Sequence, residues 1–395
     1  MAGGTRRIDV SRFSGIGGDG NMSRIAASSL RRSEASGAVR VGKRGFGQSE
    51  DRAFSDQIAA LVQREDLEDF VERNAAESAA LLRSAERLAT AAFEDRDPDA
   101  LFQVHRALYA LYEDSLRPAG LGGGHNQFNI HLITLRSTLE RRWEKFEVDR
   151  LGLIPEEVPT DPEAFRTYFM QRCWGHRMIG HPLFEFLSKD ADRGQLINFF
   201  LNDGAVIVRF CDLVVLSMVG VDEDVRPELA NNFWDEMGQG NFQERHVQLY
   251  RDLLSYTGTN TPGEELSTEH FVDRLDWSGL AGYNLYLYLC LHRRNQFRAL
   301  GALGAAEMTD PPQYGRVLVG CRRVGLDDNA RLAYYASHEE CDVGHGAAWL
   351  SNVLLPLVRK YPAKRHEIVA GALIRMNVTL DYYDNLLEGL RGGSR

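Results

Sequence analysis

The sequence predicts an all-α protein whose second half is a bundle of long helices around one core. Two observations carry the prediction: apolar residues recur at helical spacing from about Phe54 onward, and no continuous alternation of apolar and polar residues marks a strand. A third bounds it. With 44% hydrophobic residues in a chain of 395, a substantial core can form as one large domain or two ordinary ones.

Residues 1–50 come first, rich in Gly, Ser and Arg without an apolar period, and they read as a disordered basic tail. A basic targeting segment is the sharper alternative. Up to Arg44 the tail holds nine Lys and Arg against three Asp and Glu, so the net charge of −10 leaves about −16 on the rest. That acidity argues against a nucleic-acid or anionic-membrane partner. "TRR" at 5–7 has no apolar stretch behind it, which speaks against a secretory signal. No run of about 18 apolar residues is present to span a membrane.

Residues 51–155 form the next region. "FSDQIAALVQRE", "AESAALLRSAERLATAAFE", "DALFQVHRALYALYEDSL" and "NIHLITLRSTLERRWEKFEVDRLG" each read as an amphipathic helix. Pro118 and the glycines 122–124 interrupt them, and Pro155, Pro159 and Pro162 set a boundary near 155. Residues 156–395 carry longer, more apolar helices, expected near 162–178, 193–219, 226–256, 277–309, 327–358 and 363–389. Five scattered cysteines (173, 211, 290, 321, 341) form no Cys-x-x-Cys pair, which suits a reducing cytoplasm and offers no thiolate metal site.

The chemistry concentrates in this last region. In "YYASHEECDVGHGAAWL" the steps of four and three put His338, Asp342 and His345 on one helical stripe, shared with Tyr335 and Trp349. Two imidazoles and a carboxylate facing inward need partners, and a metal ion is the most economical one. "NNFWDEMGQGNFQERHVQLY" adds Glu236 and His246. Ten residues of straight helix would hold these about 15 Å apart, so Gly238 and Gly240 are expected to bend the chain and draw them together. Taken alone, His246 also reads as a core histidine and Glu236 as a solvated helix charge.

"RNQFRALGALGAAEMTDPP" sets Glu307 among small apolar residues, paired with Arg294 or Arg298 or bound to a metal. "LINFFLNDGAVIVRFCDLVVLSMVGV" holds Asp203 and Asp212, nine apart and on nearly opposite faces. If 193–219 and 226–256 form an antiparallel hairpin, Asp203 lies level with Glu236 and His246, and Asp212 does not. Carboxylates and imidazoles without thiolate suit iron or manganese, and bridging carboxylates suit two ions. A single zinc would not use seven ligands.

"NFWDEMGQGN…RH", Glu307 at the end of "GALGAAE", "HEECDVGH", "GCRRVG" and the closing "GALIRMNVTLDYYDNLL" together resemble the haem-oxygenase-like di-iron oxidases and oxygenases, over roughly residues 165–385. The Glu-to-His spacing of ten resembles the N-oxygenating members. Asp203 departs from the pattern, since many members have Glu on that helix. Some other members place a Glu where this chain has Gln239.

The resemblance implies a haem-oxygenase-like bundle with an additional N-terminal helical region. It also implies two Fe(II)/Fe(III) ions held by Asp203, Glu236, His246, Glu307, His338, Asp342 and His345, with O2 as co-substrate. One iron would take His246, Glu307 and His338, and the other Glu236, Asp342 and His345, with Asp203 terminal or bridging. The implied function is oxidation of a small amino-acid-like substrate in natural-product biosynthesis, foremost N-oxygenation of an amine. Desaturation or oxidative C–C cleavage of an amino or fatty acid is the alternative, and a non-catalytic binding protein of the same fold is the second. Arg209, Arg294 and Arg323 are candidate clamps for a substrate carboxylate, each with a structural salt bridge as its competing role. An external electron donor and a homodimer are compatible with the reading.

Overall fold

A computed structural model describes residues 53–118, 120, 123–261 and 266–392, with the side chains of 339–343 apart. The expected basic tail at 1–50 lies outside the described residues. Within them every regular element is a helix and none is a strand.

The first group is α1 (Phe54–Val62), α2 (Leu67–Arg73), α3 (Ala75–Phe93), α4 (Pro98–Leu116) and α5 (Ile130–Asp149). Their starts follow the capping rules. Asp97 accepts from Ala100 N at 2.7 Å with Pro98 behind it, and Asn129 accepts from His131 N and Leu132 N. Leu101, Val104, Leu108 and Leu111 bury one face of α4, which packs against α1 and α13 (Trp277–Leu291). Leu280 and Leu287 of α13 are 0% exposed, each worth about 2 kcal/mol in burial. Helix α13 is apolar nearly all round because α4, α18 (Arg365–Arg391), α14 (Gln296–Thr309) and α9 (Phe210–Met218) surround it.

The remaining helices are α6 (Pro162–Trp174), α7 (Pro182–Lys189), α8 (Arg193–Ile207), α10 (Arg226–Glu236), α11 (His246–Thr257), α12 (Glu269–Val272), α15 (Pro311–Arg323), α16 (Ala333–Trp349) and α17 (Leu355–Lys360). The small residues of "GALGAAE" let backbones touch. A Cβ on Gly301 would lie 2.0 Å from Ile368 O, and one on Gly371 2.0 Å from Arg298 O, so α14 and α18 meet at glycine. Helix α16 approaches α14 the same way. A Cβ on Gly346 would lie 2.9 Å from Met308 Cα and 3.0 Å from Glu307 O.

Several expected long helices are divided. The run 193–219 breaks at Val208–Arg209, where Arg209 N bonds Val206 O at 3.0 Å and its guanidinium turns toward Glu113. The run 277–309 turns at Arg293–Asn295, and its second half packs beside the first. The run 226–256 breaks between Glu236 and His246. Residues 311–323, not expected as a separate helix, form α15 with Pro at its first turn. The run 327–358 starts only at Ala333 and passes through a π turn at Leu350–Leu354. No helix among the described residues is long and apolar enough to cross a membrane.

Candidate metal centre

Helix α16 supplies the imidazoles. His338 is 8% exposed, and its Nδ1 lies 2.5 Å from Tyr334 O. An Nδ1–H donating to that carbonyl fixes the ring and leaves the lone pair on Nε2, the tautomer a metal-binding histidine needs. The ring sits against His246 at 4.3 Å and Tyr334 at 4.4 Å between centroids.

Glu236 closes α10 and His246 opens α11. Between them Gly238, Gln239 and Gly240 have φ of 63°, 52° and 90°, the left-handed region that favours glycine. A Cβ on Gly238 would also lie 2.6 Å from Arg245 N. The chain therefore doubles back, and Glu236 Oε2 comes 2.9 Å from His246 Nδ1. One ligand atom each from Glu236, His246 and His338 lies within 4.8 Å of the others, the cluster of three metal-binding side chains found among the described residues.

Glu307 and His345 lie where α14 and α16 touch. Glu307 Oε1 accepts from Asn232 Nδ2 at 3.1 Å, and its Oε2 is 3.9 Å from His345 Nδ1. His345 Nε2 meets Asp235 Oδ2 at 3.1 Å, an acid the sequence reading passed over. Asp203 stands in the wall of the same cavity and accepts from Tyr335 OH at 3.3 Å. Burial, then the charge of Asp310, pushes its carboxyl up to about 7. Asp342 belongs to α16, and its side chain lies outside the described residues.

The division of donors differs from the expected one. Glu236 stands with His246 and His338, and Glu307 stands with His345, because the Gly238 turn brings Glu236 back onto α11 while the Gly346 contact sets Glu307 against α16. Helix α9 packs beside α10 and α8 beside α11, which brings Asp203 to the cavity. Asp212 instead pairs with Arg209 at 3.0 Å.

The three candidate substrate arginines have other partners. Arg209 bonds Glu113 at 2.6 Å and Tyr283 at 3.3 Å. Arg294 bonds Glu144 at 3.3 Å and Tyr288 at 3.1 Å. Arg323 bonds Ser188 O at 3.0 Å and Ala191 O. A guanidinium that does reach the site is that of Arg375, paired with the cavity residue Asp310. Asp310 had a signal in the sequence: three residues after Glu307, it falls on the same side of the chain.

A family model of iron-containing redox enzymes matches residues 199–380. Over these residues, a little under half of the chain, the sequence is similar to that family. The iron-containing redox segment runs from α8 into α18, takes in every candidate ligand, and excludes the N-terminal helices. No curated protein matches the chain. The donors fit the iron of this family: carboxylate oxygen and imidazole nitrogen in a half-enclosed cavity. Cys211, near Glu236, stays a thiol, since burial pushes it up to about 12. Among the described residues the protein is all-α, and the match supports an oxidoreductase-type function that uses iron.

Proposed function

We propose that this iron-containing redox enzyme is a non-haem di-iron oxygenase that uses O2 to oxidise a small amine-bearing, amino-acid-like substrate, with N-oxygenation the leading reaction. The observation that carries the reading is the pair of adjoining donor groups, Glu236–His246–His338 and Glu307–His345. Two groups ask for two ions. Cavity size supports a non-haem centre. The space beside the donors is about 100 Å³, and a cavity of ~150 Å³ takes one benzene, so a porphyrin is far too large. The ten-residue spacing from Glu236 to His246 supports N-oxygenation.

Two ferrous ions would supply the electrons that activate O2. The chain supplies placement. Tyr334 O holds the His338 ring, Asn232 orients Glu307, and the Tyr335 hydroxyl orients Asp203. Val206, Ile207 and Phe210 give the cavity a water-excluding wall.

Anaerobic Fe(II) titration with metal analysis tests the count, followed by O2 uptake with a panel of amino acids and amines. Two irons per chain and substrate-dependent O2 uptake are expected, with a hydroxylamine or nitro product. One iron or none at saturation overturns the di-iron reading.

A further inference from the structure

A second cavity adjoins the metal cavity, and Asp203, Val206, Tyr286 and Asp310 line both. The two spaces are about 100 and 90 Å³, room for a chain of a few heavy atoms by comparison with a benzene in ~150 Å³. Leu275, Leu285 and Val378 make the second cavity partly apolar. Gly282 of α13 opens it, because a Cβ there would meet no atom within 4 Å.

The polar groups decide what fits. Arg375, 3% exposed, borders the second cavity, yet four of its five N–H donors are already engaged. Nε donates to Tyr286 OH at 3.2 Å, Nη1 to Thr309 Oγ1 at 3.0 Å and Met178 Sδ at 3.6 Å, and Nη2 to Asp310. What this pair presents to both cavities is the Asp310 carboxylate, fixed from behind by the guanidinium. Asn202 spends its amide N–H₂ on Asn198 O at 2.8 Å and Oδ1 at 3.1 Å, which leaves it an oxygen to offer. The Tyr382 hydroxyl is buried without a hydrogen-bond partner among the described residues. Asp310 and Asn202 offer acceptors to this space, the charge of its lining arginine is committed to Asp310, and the Tyr382 hydroxyl can donate or accept, so a ligand group that meets Asp310 must donate.

We infer that Asp310 holds the ammonium group of the substrate at the border of the two cavities. The rest of the molecule lies in the second cavity, where Tyr382 bonds a polar group along it. Asp310 is then a specificity-determining residue that presents nitrogen to the metal side, and the substrate class is a short primary alkylammonium compound. The inference rests on the proposed metal centre and adds which end of the substrate faces it.

Calorimetric titration of the full chain, loaded with Fe(II) under argon, with pentylamine, pentanoate and 1-pentanol tests this. Pentylamine is expected to bind at least about tenfold tighter than the other two, the worth of one charge-assisted hydrogen bond. Asp310→Asn should remove that preference with iron content unchanged. Gly282→Leu, which fills the cavity, should weaken pentylamine about tenfold, again with iron retained. Pentanoate binding as well as pentylamine, no pentylamine binding, or unchanged amine affinity in Asp310→Asn overturns the proposal. Iron loss in Asp310→Asn also overturns it, since Asp310 would then be a ligand. If Asp310→Asn fails to fold for want of the Arg375 partner, the three-ligand comparison and Gly282→Leu decide. If the wild-type chain takes up no iron, the metal reading fails by itself, and the same titrations on the metal-free chain decide this one.

Discussion

Buried acids occur in two regions of the molecule, and they are treated differently. Among the N-terminal helices three of the four most buried acids come with a guanidinium, Asp114 being the exception. Glu113 takes Arg209 at 2.6 Å, Glu147 takes Arg150 at 2.7 Å, and Glu140 takes Arg136 at 3.6 Å with His292 at 2.8 Å. In the metal centre the acids meet neutral or exchangeable groups: Glu236 meets His246, Glu307 meets His345 and Asn232, and Asp203 meets Tyr335. A buried carboxylate needs compensation. For Glu113, Glu140 and Glu147 the first region carries its own permanently. The second offers imidazoles that can turn their lone pairs to an ion, so its compensation can arrive from solution.

The largest effect expected from breaking this contrast is at the site itself. His338→Ala should cut iron-dependent O2 uptake by more than ~100-fold, beyond the usual loss from an outer-shell change, while circular dichroism and the metal-free melting temperature stay near wild type. Normal iron content in that variant would remove His338 from the centre. The mirror experiment is Glu113→Ala. It leaves Arg209 with Asp212 as its acidic partner and takes the acceptor from the Tyr283 and Thr268 hydroxyls, and should cost about 3 kcal/mol in denaturant unfolding. Iron bound per folded chain should not change. A variant that is stable but iron-free would show that the two regions are not separable in this way.

Acid sharpens the comparison next. His105, 1% exposed and edge-on to Trp143, has its imidazole pushed down to about 3, by burial and then by the charge of Arg96. The unfolded chain takes this proton near 6.5 and the folded chain refuses it until about 3. The stability it protects is therefore present above 6.5 and lost as pH falls, at about 1.4 kcal/mol per unit. Metal-free protein should lose roughly 3 kcal/mol from this group between pH 6.5 and 4, and His105→Leu should flatten that part of the curve. An identical pH profile in wild type and variant would rule it out.

The sequence was most legible where the helix is regular. Spacing becomes direction only on an unbroken helix, so His338 and His345 could be assigned one face, and α16 keeps them there. Glu236 and His246 required an added argument from Gly238 and Gly240. The break at Val208–Arg209 was invisible because apolar residues continue across it, and its cause is a distant partner, Glu113. The same holds for the arginines. Arg209 and Arg375 have apolar sequence neighbours and Arg323 follows Arg322, and only tertiary contacts reveal that Arg375 stands behind a cavity acid while Arg209 and Arg323 tie helices together.

The smallest change worth making is one carbon at Gly238. Its φ of 63° makes any side chain there strained, and the added Cβ would press on Arg245 N at 2.6 Å. Gly238→Ala should therefore cost about 1–2 kcal/mol in stability, because the turn can open to relieve the contact. Opening separates Glu236 from His246, now 2.9 Å apart, without touching either ligand. Iron affinity should fall about 10- to 100-fold, as when a ligand keeps its chemistry and loses its positioning, and the N-terminal acids with their arginines should be indifferent. Competition with a chelator of known strength reads the affinity, and urea unfolding of the metal-free chain reads the stability. Lost stability with unchanged iron affinity would mean that the turn serves the fold alone, and that Glu236 and His246 reach their metal by another route.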